Sequence, residues 1–159
     1  MENISRITSF NVDHDFIVPG MYVSRIDGDI VTYDLRTRKP NCDDFMDSLT
    51  MHSVEHMLAT YARNSALSDK VIYFGPMGCR TGFYLLMRDT TNEEAYELVK
   101  DILKKTVDHD GKMFGDTRKE CGNYKDLSLE AAKIECDRYL KALLEREKLG
   151  KADFKYDRA

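Results

Sequence analysis

Two histidines with a glutamate between them are the first residues in this sequence whose types and spacing suggest chemistry. His52 and His56 lie four residues apart, and Glu55 directly precedes the second histidine. On an α-helix this spacing puts both imidazoles on one face, where they can bind a single metal ion. The glutamate is then free for acid or base chemistry. The chain has only 4 histidines, so a metal site explains this pattern better than chance does.

A third metal ligand must come from another part of the chain. Catalytic metals usually have three protein ligands and keep one position open for water or substrate. The 4 cysteines are few and widely spaced, which favours ligands, nucleophiles or buried thiols over disulfides. Cys121, in a loop with a glycine, is a candidate, and so are Cys79, Cys42 and several carboxylates. Cys136 lies on a helix face and is expected in the core.

The elements around these residues can be predicted from hydrophobic spacing. Thr50 to Asn64 is expected to form a helix that carries the two histidines, with Thr50 or Ser48 as its N-cap. The sequence from Thr91 to Glu94 has the form of a capping box. It indicates the start of a second helix, which we expect to end near Thr106. A long third helix begins at Ser128 and ends at Gly150.

Short runs rich in β-branched and aromatic residues predict strands. The Asp27-Gly28 pair indicates a tight hairpin, because both central residues of a primed turn need positive φ. Helices do not alternate regularly with the strands, so we expect an α+β fold in which an antiparallel sheet packs against helices, as one domain over residues 1–159. The predicted strands are Ile7–Phe10, Tyr22–Ile26, Ile30–Leu35, Val71–Phe74 and Gly82–Met87.

Composition excludes several classes of protein. Hydrophobic residues make up 42% of the chain and charged residues 33%, which is typical of a globular protein. A net charge of -4 argues against nucleic acid as a partner. The chain has no signal-like start and no apolar stretch near the ~20 residues that span a bilayer. We therefore expect a cytoplasmic protein with no membrane partner.

Five separated segments resemble one known family. HSVEH, GPMGCRTGFY and ECGNY, in this order and spacing, resemble the S-ribosylhomocysteine lyase (LuxS) family. SFNVDH and DLRTRKPN also look like the corresponding family segments, so the resemblance covers nearly the whole chain. It implies a homodimer with its active sites at the subunit interface.

The resemblance also implies a role for each matching residue. It makes His52, His56 and Cys121 the ligands of one divalent metal per subunit, with Fe(II) favoured and Zn(II) or Co(II) as alternatives. It makes Cys79 and Glu55 the acid/base pair. A thiolate at Cys79 would require nearby positive charge, which Arg36 or Arg80 could supply. The implied substrate-site residues are Ser9, His14 and Arg36.

The implied reaction is cleavage of S-ribosylhomocysteine into homocysteine and 4,5-dihydroxy-2,3-pentanedione, the precursor of autoinducer-2. The carbonyl migrates along the ribose by enolisations, and β-elimination then breaks the thioether bond. The product can serve quorum sensing, and homocysteine returns to the methionine cycle.

The chain departs from the family pattern at two places. Tyr73 stands where many members carry an aspartate, and the stretch from Lys112 to Lys119 also differs. Two rival functions fit parts of the pattern. One is an HxxEH metallopeptidase in which Glu55 activates a metal-bound water, and the other is a non-enzymatic binding module with a closed four-ligand metal site.

Overall fold

In the part of the chain that the structure describes, the fold consists of a four-stranded antiparallel sheet and three long helices. The computed structural model describes residues 3–157. The predicted α+β class with an antiparallel sheet is confirmed. Among the described residues, no helix has the length and apolar character needed to cross a membrane. The elements are β1 (Gly20–Asp27), β2 (Ile30–Arg36), α1 (Ser48–Arg63), β3 (Val71–Pro76), β4 (Gly82–Arg88), α2 (Asn92–Val107) and α3 (Leu129–Lys148), with single 3-10 turns at Thr8–Phe10, His14–Phe16 and Ser68–Lys70.

The sheet has the strand order β1-β2-β4-β3, and every neighbouring pair is antiparallel. The predicted hairpin joins β1 to β2. Asp27 pairs with Ile30, so the two central turn residues are Gly28 and Asp29. Only Gly28 has positive φ, at 63°, which is the arrangement of a type II′ turn and not the doubly positive one that we expected.

Side chains alternate between the two faces of the sheet. On β2, Tyr33 and Leu35 are fully buried in the core that the helices cover. Asp34 and Arg36 must point to the opposite face, because successive strand residues alternate. We call this opposite side the second face of the sheet. It is also where Tyr84 of β4 lies, between the core residues Phe83 and Leu85.

Two further predictions about the first half of the chain are wrong. Ile7–Phe10 is not a strand, because Phe10 and Asn11 donate backbone hydrogen bonds to Ile7 and Thr8 and close a 3-10 turn. Its apolar side chains are exposed, so no core holds the segment extended. The N-cap of α1 is Asp47, whose carboxylate accepts from the backbone N–H of Thr50 at 2.8 Å.

The two later helices begin as their sequences predict. Thr91 and Glu94 form both hydrogen bonds of the capping box at the start of α2. Ser128 caps α3 by accepting from the N–H of Ala131 at 3.2 Å. Gly150 follows the end of α3 with φ of 70°, a conformation that favours glycine. Cys136 is buried on α3, as expected.

Candidate active site

Helix α1 brings two histidines of the HxxEH segment next to the distant cysteine. The three residues are His52, His56 and Cys121, and one ligand atom of each lies within 4.8 Å of the other two. The Sγ atom of Cys121 is 3.3 Å from Nε2 of His52. The imidazoles stand nearly perpendicular, with ring centres 4.6 Å apart. All three side chains are half-buried.

Backbone carbonyls orient both imidazoles. Nδ1 of His52 lies 2.8 Å from the carbonyl oxygen of Asp126, and Nδ1 of His56 lies 2.8 Å from that of Phe114. A carbonyl can only accept, so each Nδ1 carries the hydrogen and each Nε2 keeps a free lone pair. This is the usual outer support of a metal-binding histidine. Two imidazoles and a thiolate, arranged in this way, fit a divalent metal.

The loop between α2 and α3 is fastened to α1. Ser48 donates a hydrogen bond from its hydroxyl to the Asp126 carboxylate at 2.7 Å. The backbone N–H of Ser128 donates to the Ser53 hydroxyl at 2.8 Å. These bonds hold the stretch that contains Cys121 beside the two histidines, which explains how a ligand 65 or more positions away reaches the same point.

Gly115 lies in close contact with one of the histidines. Its φ is 67°, and a β-carbon built there would lie 2.9 Å from Nδ1 of His56. Next to it, Phe114 stacks edge-on against Tyr61 and His109. The Tyr61 hydroxyl also lies 2.6 Å from Nδ1 of His109. These aromatic contacts hold Phe114, whose carbonyl orients His56. Phe114 lies in the stretch where we expected a departure from the family pattern.

A cavity of about 320 Å³ gathers the other residues of interest. Its lining includes Cys79 and the three residues expected to contact substrate, which are Ser9, His14 and Arg36. Cys79 is exposed in the β3–β4 loop. Nδ1 of His14 lies 2.9 Å from the Val12 carbonyl oxygen, which leaves Nε2 as the nitrogen that can contact a ligand.

Arg36 is buried, and its guanidinium connects several groups of this cavity. Nε and Nη2 donate to the two oxygens of Asp34 at 3.1 and 2.6 Å. Nη1 donates to the Thr81 hydroxyl at 2.8 Å and lies 3.9 Å from Sγ of Cys79. The Cys79 sulfur is also 3.0 Å from the Thr81 hydroxyl. Arg80, the other expected source of charge, is exposed and lies over the Phe45 ring.

The metal-ligand cluster and the cavity are separate within one chain. Neither the three candidate ligands nor Glu55 is among the described residues that line the cavity. The separation follows from the fold, because α1 covers the core face of the sheet and Asp34 and Arg36 belong to the second face. Glu55 is half-buried on α1 between the two histidines in sequence.

Comparison with known proteins identifies the family. The profile of the S-ribosylhomocysteinase (LuxS) family matches residues 7–149. The chain belongs to this family.

Three relatives illustrate how closely the chain resembles other S-ribosylhomocysteinase family members. The S-ribosylhomocysteine lyase of Finegoldia magna is 41% identical over 145 residues, which cover 88% of this chain and 92% of that protein. The protein of the same name from Clostridium beijerinckii is 40% identical over 89% of this chain and 92% of its own length. The one from Borreliella burgdorferi is 40% identical over 88% and 93%.

Tyr73, where we expected a departure from the family pattern, is not among the described residues that line the cavity of Cys79. It is half exposed on β3 and packs over Gly75, where no β-carbon would fit beside its ring. It lines a second cavity of about 480 Å³ that adjoins the first. The two cavities share Ser9, Ser24 and Tyr84.

Sequence reasoning missed several polar residues of the site. The place of Asp34 in the site could have been predicted, because it precedes Arg36 by two residues in a predicted strand and must share its face. Thr81 follows Cys79 by two residues in the same loop and gave no comparable signal. Tyr156 lines the cavity from beyond α3, and no local pattern predicts that contact.

Proposed function

We propose that this chain is a metal-dependent carbon–sulfur lyase that converts S-ribosylhomocysteine to homocysteine and 4,5-dihydroxy-2,3-pentanedione. The observation that carries this proposal is the convergence of His52, His56 and Cys121 in a member of the S-ribosylhomocysteinase family. The relatives that cover most of the chain bear the name of this reaction. The cavity of Cys79 is of a size to receive a small molecule.

His52, His56 and Cys121 would hold one divalent metal per subunit. Fe(II) is the proposed native metal, and Zn(II) or Co(II) could replace it, because this donor set suits all three. The chemistry that such a metal supplies when bound is Lewis-acid stabilisation of negative charge on a sugar oxygen. Nδ1 of each histidine is already occupied by a carbonyl, which directs Nε2 to the metal.

Cys79 and Glu55 would carry the protons. Each enolisation removes a proton from the carbon beside the carbonyl and returns one to the former carbonyl carbon, so two such steps move the carbonyl from C1 to C3. Loss of the C4 proton then breaks the C5–S bond, and homocysteine leaves as a thiolate that takes up a proton. The resulting enol loses its hydroxyl proton and gains one at C5, which gives the dione. The Arg36 guanidinium lies 3.9 Å from Sγ of Cys79, so its positive charge faces the sulfur that would act as base.

Ser9, His14 and Arg36 would bind the substrate. The hydroxyl of Ser9 and the free nitrogen of His14 can hydrogen-bond sugar oxygens from the cavity wall. The Nε and Nη2 atoms of Arg36 are occupied by Asp34. Arg36 therefore offers the substrate mainly its Nη1 side.

A second copy of the chain would complete each active site. Cys79 and the metal-ligand cluster do not share a cavity within one chain, yet the reaction needs both beside one sugar. The second face of the sheet also carries exposed apolar side chains near the cavity, such as Phe10 at 62% and Ile7 at 57% exposure. Exposed apolar groups around a site favour coverage by a partner. A homodimer would bring the α1 cluster of one copy to the cavity of the other.

Release of thiol from S-ribosylhomocysteine tests this function. Purified protein, loaded anaerobically with Fe(II) or Co(II), is incubated with the substrate, and free homocysteine is titrated with a chromogenic disulfide reagent. We expect catalytic release that stops when the metal is removed by a chelator and returns on reloading. No release from the metal-replete protein would overturn the proposal, and cleavage of peptides instead would favour the metallopeptidase.

A further inference from the structure

A C-terminal segment reaches the cavity from outside the family match. Residues 151–157 follow α3 and lie beyond the matched residues 7–149. Tyr156 of this segment nevertheless lines the cavity that contains Cys79. The side chain is half-buried there. The segment therefore adds a wall to the site that the matched part of the chain does not supply.

Contacts on both sides of the sheet edge anchor this segment. The N–H of Val23 on β1 donates to the Phe154 carbonyl at 2.8 Å. The Phe154 side chain is buried in the core, edge-on to Tyr96. Asp157 accepts a hydrogen bond from Nη2 of Arg146 at 3.2 Å. The chain thus crosses the edge of β1 at a defined point, which fixes where Tyr156 must lie.

The Tyr156 ring is stacked and its hydroxyl is directed at a buried carboxylate. The ring lies nearly parallel to that of Tyr22, with centres 4.6 Å apart. The hydroxyl donates to Oδ2 of Asp34 at 2.8 Å. Burial, reinforced by the negative charge of Asp34, raises the pKa of Tyr156 far above its ordinary value. The phenol therefore remains a protonated donor throughout the working range of pH.

The same carboxylate oxygen accepts from Arg36. Nη2 of Arg36 lies 2.6 Å from Oδ2 of Asp34, and both side chains are almost fully buried. Because the Tyr156 hydroxyl donates a hydrogen bond to Asp34, it stabilises part of the negative charge on this carboxylate. Less of that negative charge then neutralises the Arg36 guanidinium. The third nitrogen of the same guanidinium, Nη1, lies 2.8 Å from the Thr81 hydroxyl and 3.9 Å from Sγ of Cys79.

We propose that Tyr156 is a positioning residue that, through Asp34, holds the Arg36 guanidinium against the Cys79 sulfur. This role rests on the proposed lyase function only for its effect on turnover. Its effect on the reactivity of Cys79 is independent of any reaction. Without the Tyr156 hydroxyl, Asp34 lacks one donor and draws Arg36 towards itself, and the positive charge beside Cys79 falls.

Tyr156→Phe tests this role, with Tyr22→Phe as the matched control. Both variants remove one phenolic hydroxyl from the same pair of stacked rings. The Tyr22 hydroxyl donates to the Val18 carbonyl at 2.6 Å and makes no hydrogen bond to Asp34. Two rates are measured in the metal-loaded protein: thiol release from S-ribosylhomocysteine, and alkylation of Cys79 by iodoacetamide at pH 7, followed by mass spectrometry of the peptide that contains it.

We expect Tyr156→Phe to alkylate Cys79 about five-fold more slowly, because one charge-assisted hydrogen bond is lost. kcat/KM should fall by a similar factor, while Tyr22→Phe matches the wild type in both rates. Rates for Tyr156→Phe within a factor of about two of the wild type would overturn the inference. If the wild type released no thiol, the lyase function would fail, and the alkylation rates alone would still decide the role of Tyr156.

Discussion

Arg36 and Asp34 form a buried, forked ion pair in which two guanidinium nitrogens meet two carboxylate oxygens at 3.1 and 2.6 Å. Their side chains are 4% and 2% exposed. A buried pair of this kind contributes little net stability, because desolvation of two charges offsets their attraction. Its value is geometric, since the planar fork can hold the remaining nitrogen in one direction. That nitrogen lies beside Thr81 and Cys79.

Replacing Arg36 by lysine tests this geometry. Arg36→Lys keeps the charge but cannot satisfy both oxygens of Asp34 and also reach Thr81. We expect KM for S-ribosylhomocysteine to rise about ten-fold, with a smaller change in thermal stability. Steady-state kinetics and thermal unfolding measure the two effects. Arg88→Lys is the control, because Arg88 is exposed and pairs with the surface residue Asp29. Unchanged kinetics in Arg36→Lys would count against this role.

A methyl group at position 115 should weaken metal binding. Gly115→Ala places a β-carbon against His56 Nδ1, so the imidazole must turn away from the Phe114 carbonyl that orients it. We expect about a ten-fold or greater loss of affinity for Co(II), measured by competition with a chromogenic chelator.

Gly150→Ala is the matched control for Gly115→Ala. Its φ of 70° is close to the 67° of Gly115, but no atom of the described residues lies within 4 Å of its β-carbon. Both variants should lose about 1 kcal/mol of stability. Only Gly115→Ala should lose metal, and equal metal affinities in the two variants would refute the contact argument.

Glu55→Gln separates proton transfer from metal binding. The amide has nearly the shape of the carboxylate but cannot serve as a base at neutral pH. We expect the variant to retain stoichiometric metal, measured by elemental analysis, and to lose turnover by a factor of at least about 100. If the variant lost its metal instead, Glu55 would be assigned to support of the ligands.

Local patterns predicted α1 and its two histidines, because apolar residues at helical spacing indicate the helix and the four-residue interval then places both imidazoles on one face of it. The α2 capping box was equally local. The strand predicted at Ile7–Phe10 failed because its composition suits a strand but none of the described strands pairs with it. Propensity alone cannot supply that partner.

Long-range contacts could not be predicted from spacing. His52 and Cys121 are 69 positions apart, and only the family resemblance connected them. Tyr156 and Asp34 are separated by 122 positions, and their hydrogen bond depends on how the chain crosses the edge of β1 after α3. Side chains alternate along β2, which places Asp34 and Arg36 on one face. The proximity of these two residues could therefore be predicted from the sequence.

The stability of the protein at alkaline pH should reveal the raised pKa of the buried Tyr22. Burial raises the pKa of Tyr22 to about 12, whereas in an unfolded chain it ionises near pH 10. Its neutral form therefore contributes stability that is fully present below pH 10 and is lost as the pH rises towards 12. In this window the free energy of unfolding of the wild type should fall by up to about 1.4 kcal/mol more per pH unit than that of Tyr22→Phe. Denaturant titrations between pH 9 and 11 measure this, and parallel profiles would exclude it.

Complementation between two inactive variants tests most directly whether this lyase builds its active site from two copies. Cys79→Ala and His56→Gln are co-expressed with different tags, the mixed dimer is purified, and thiol release from S-ribosylhomocysteine is measured. If each site combines the metal cluster of one copy with the cavity of its partner, the mixed dimer contains one intact site. We expect about half of wild-type activity per mixed dimer, with neither variant active alone. A mixed dimer no more active than its parents would contradict the account.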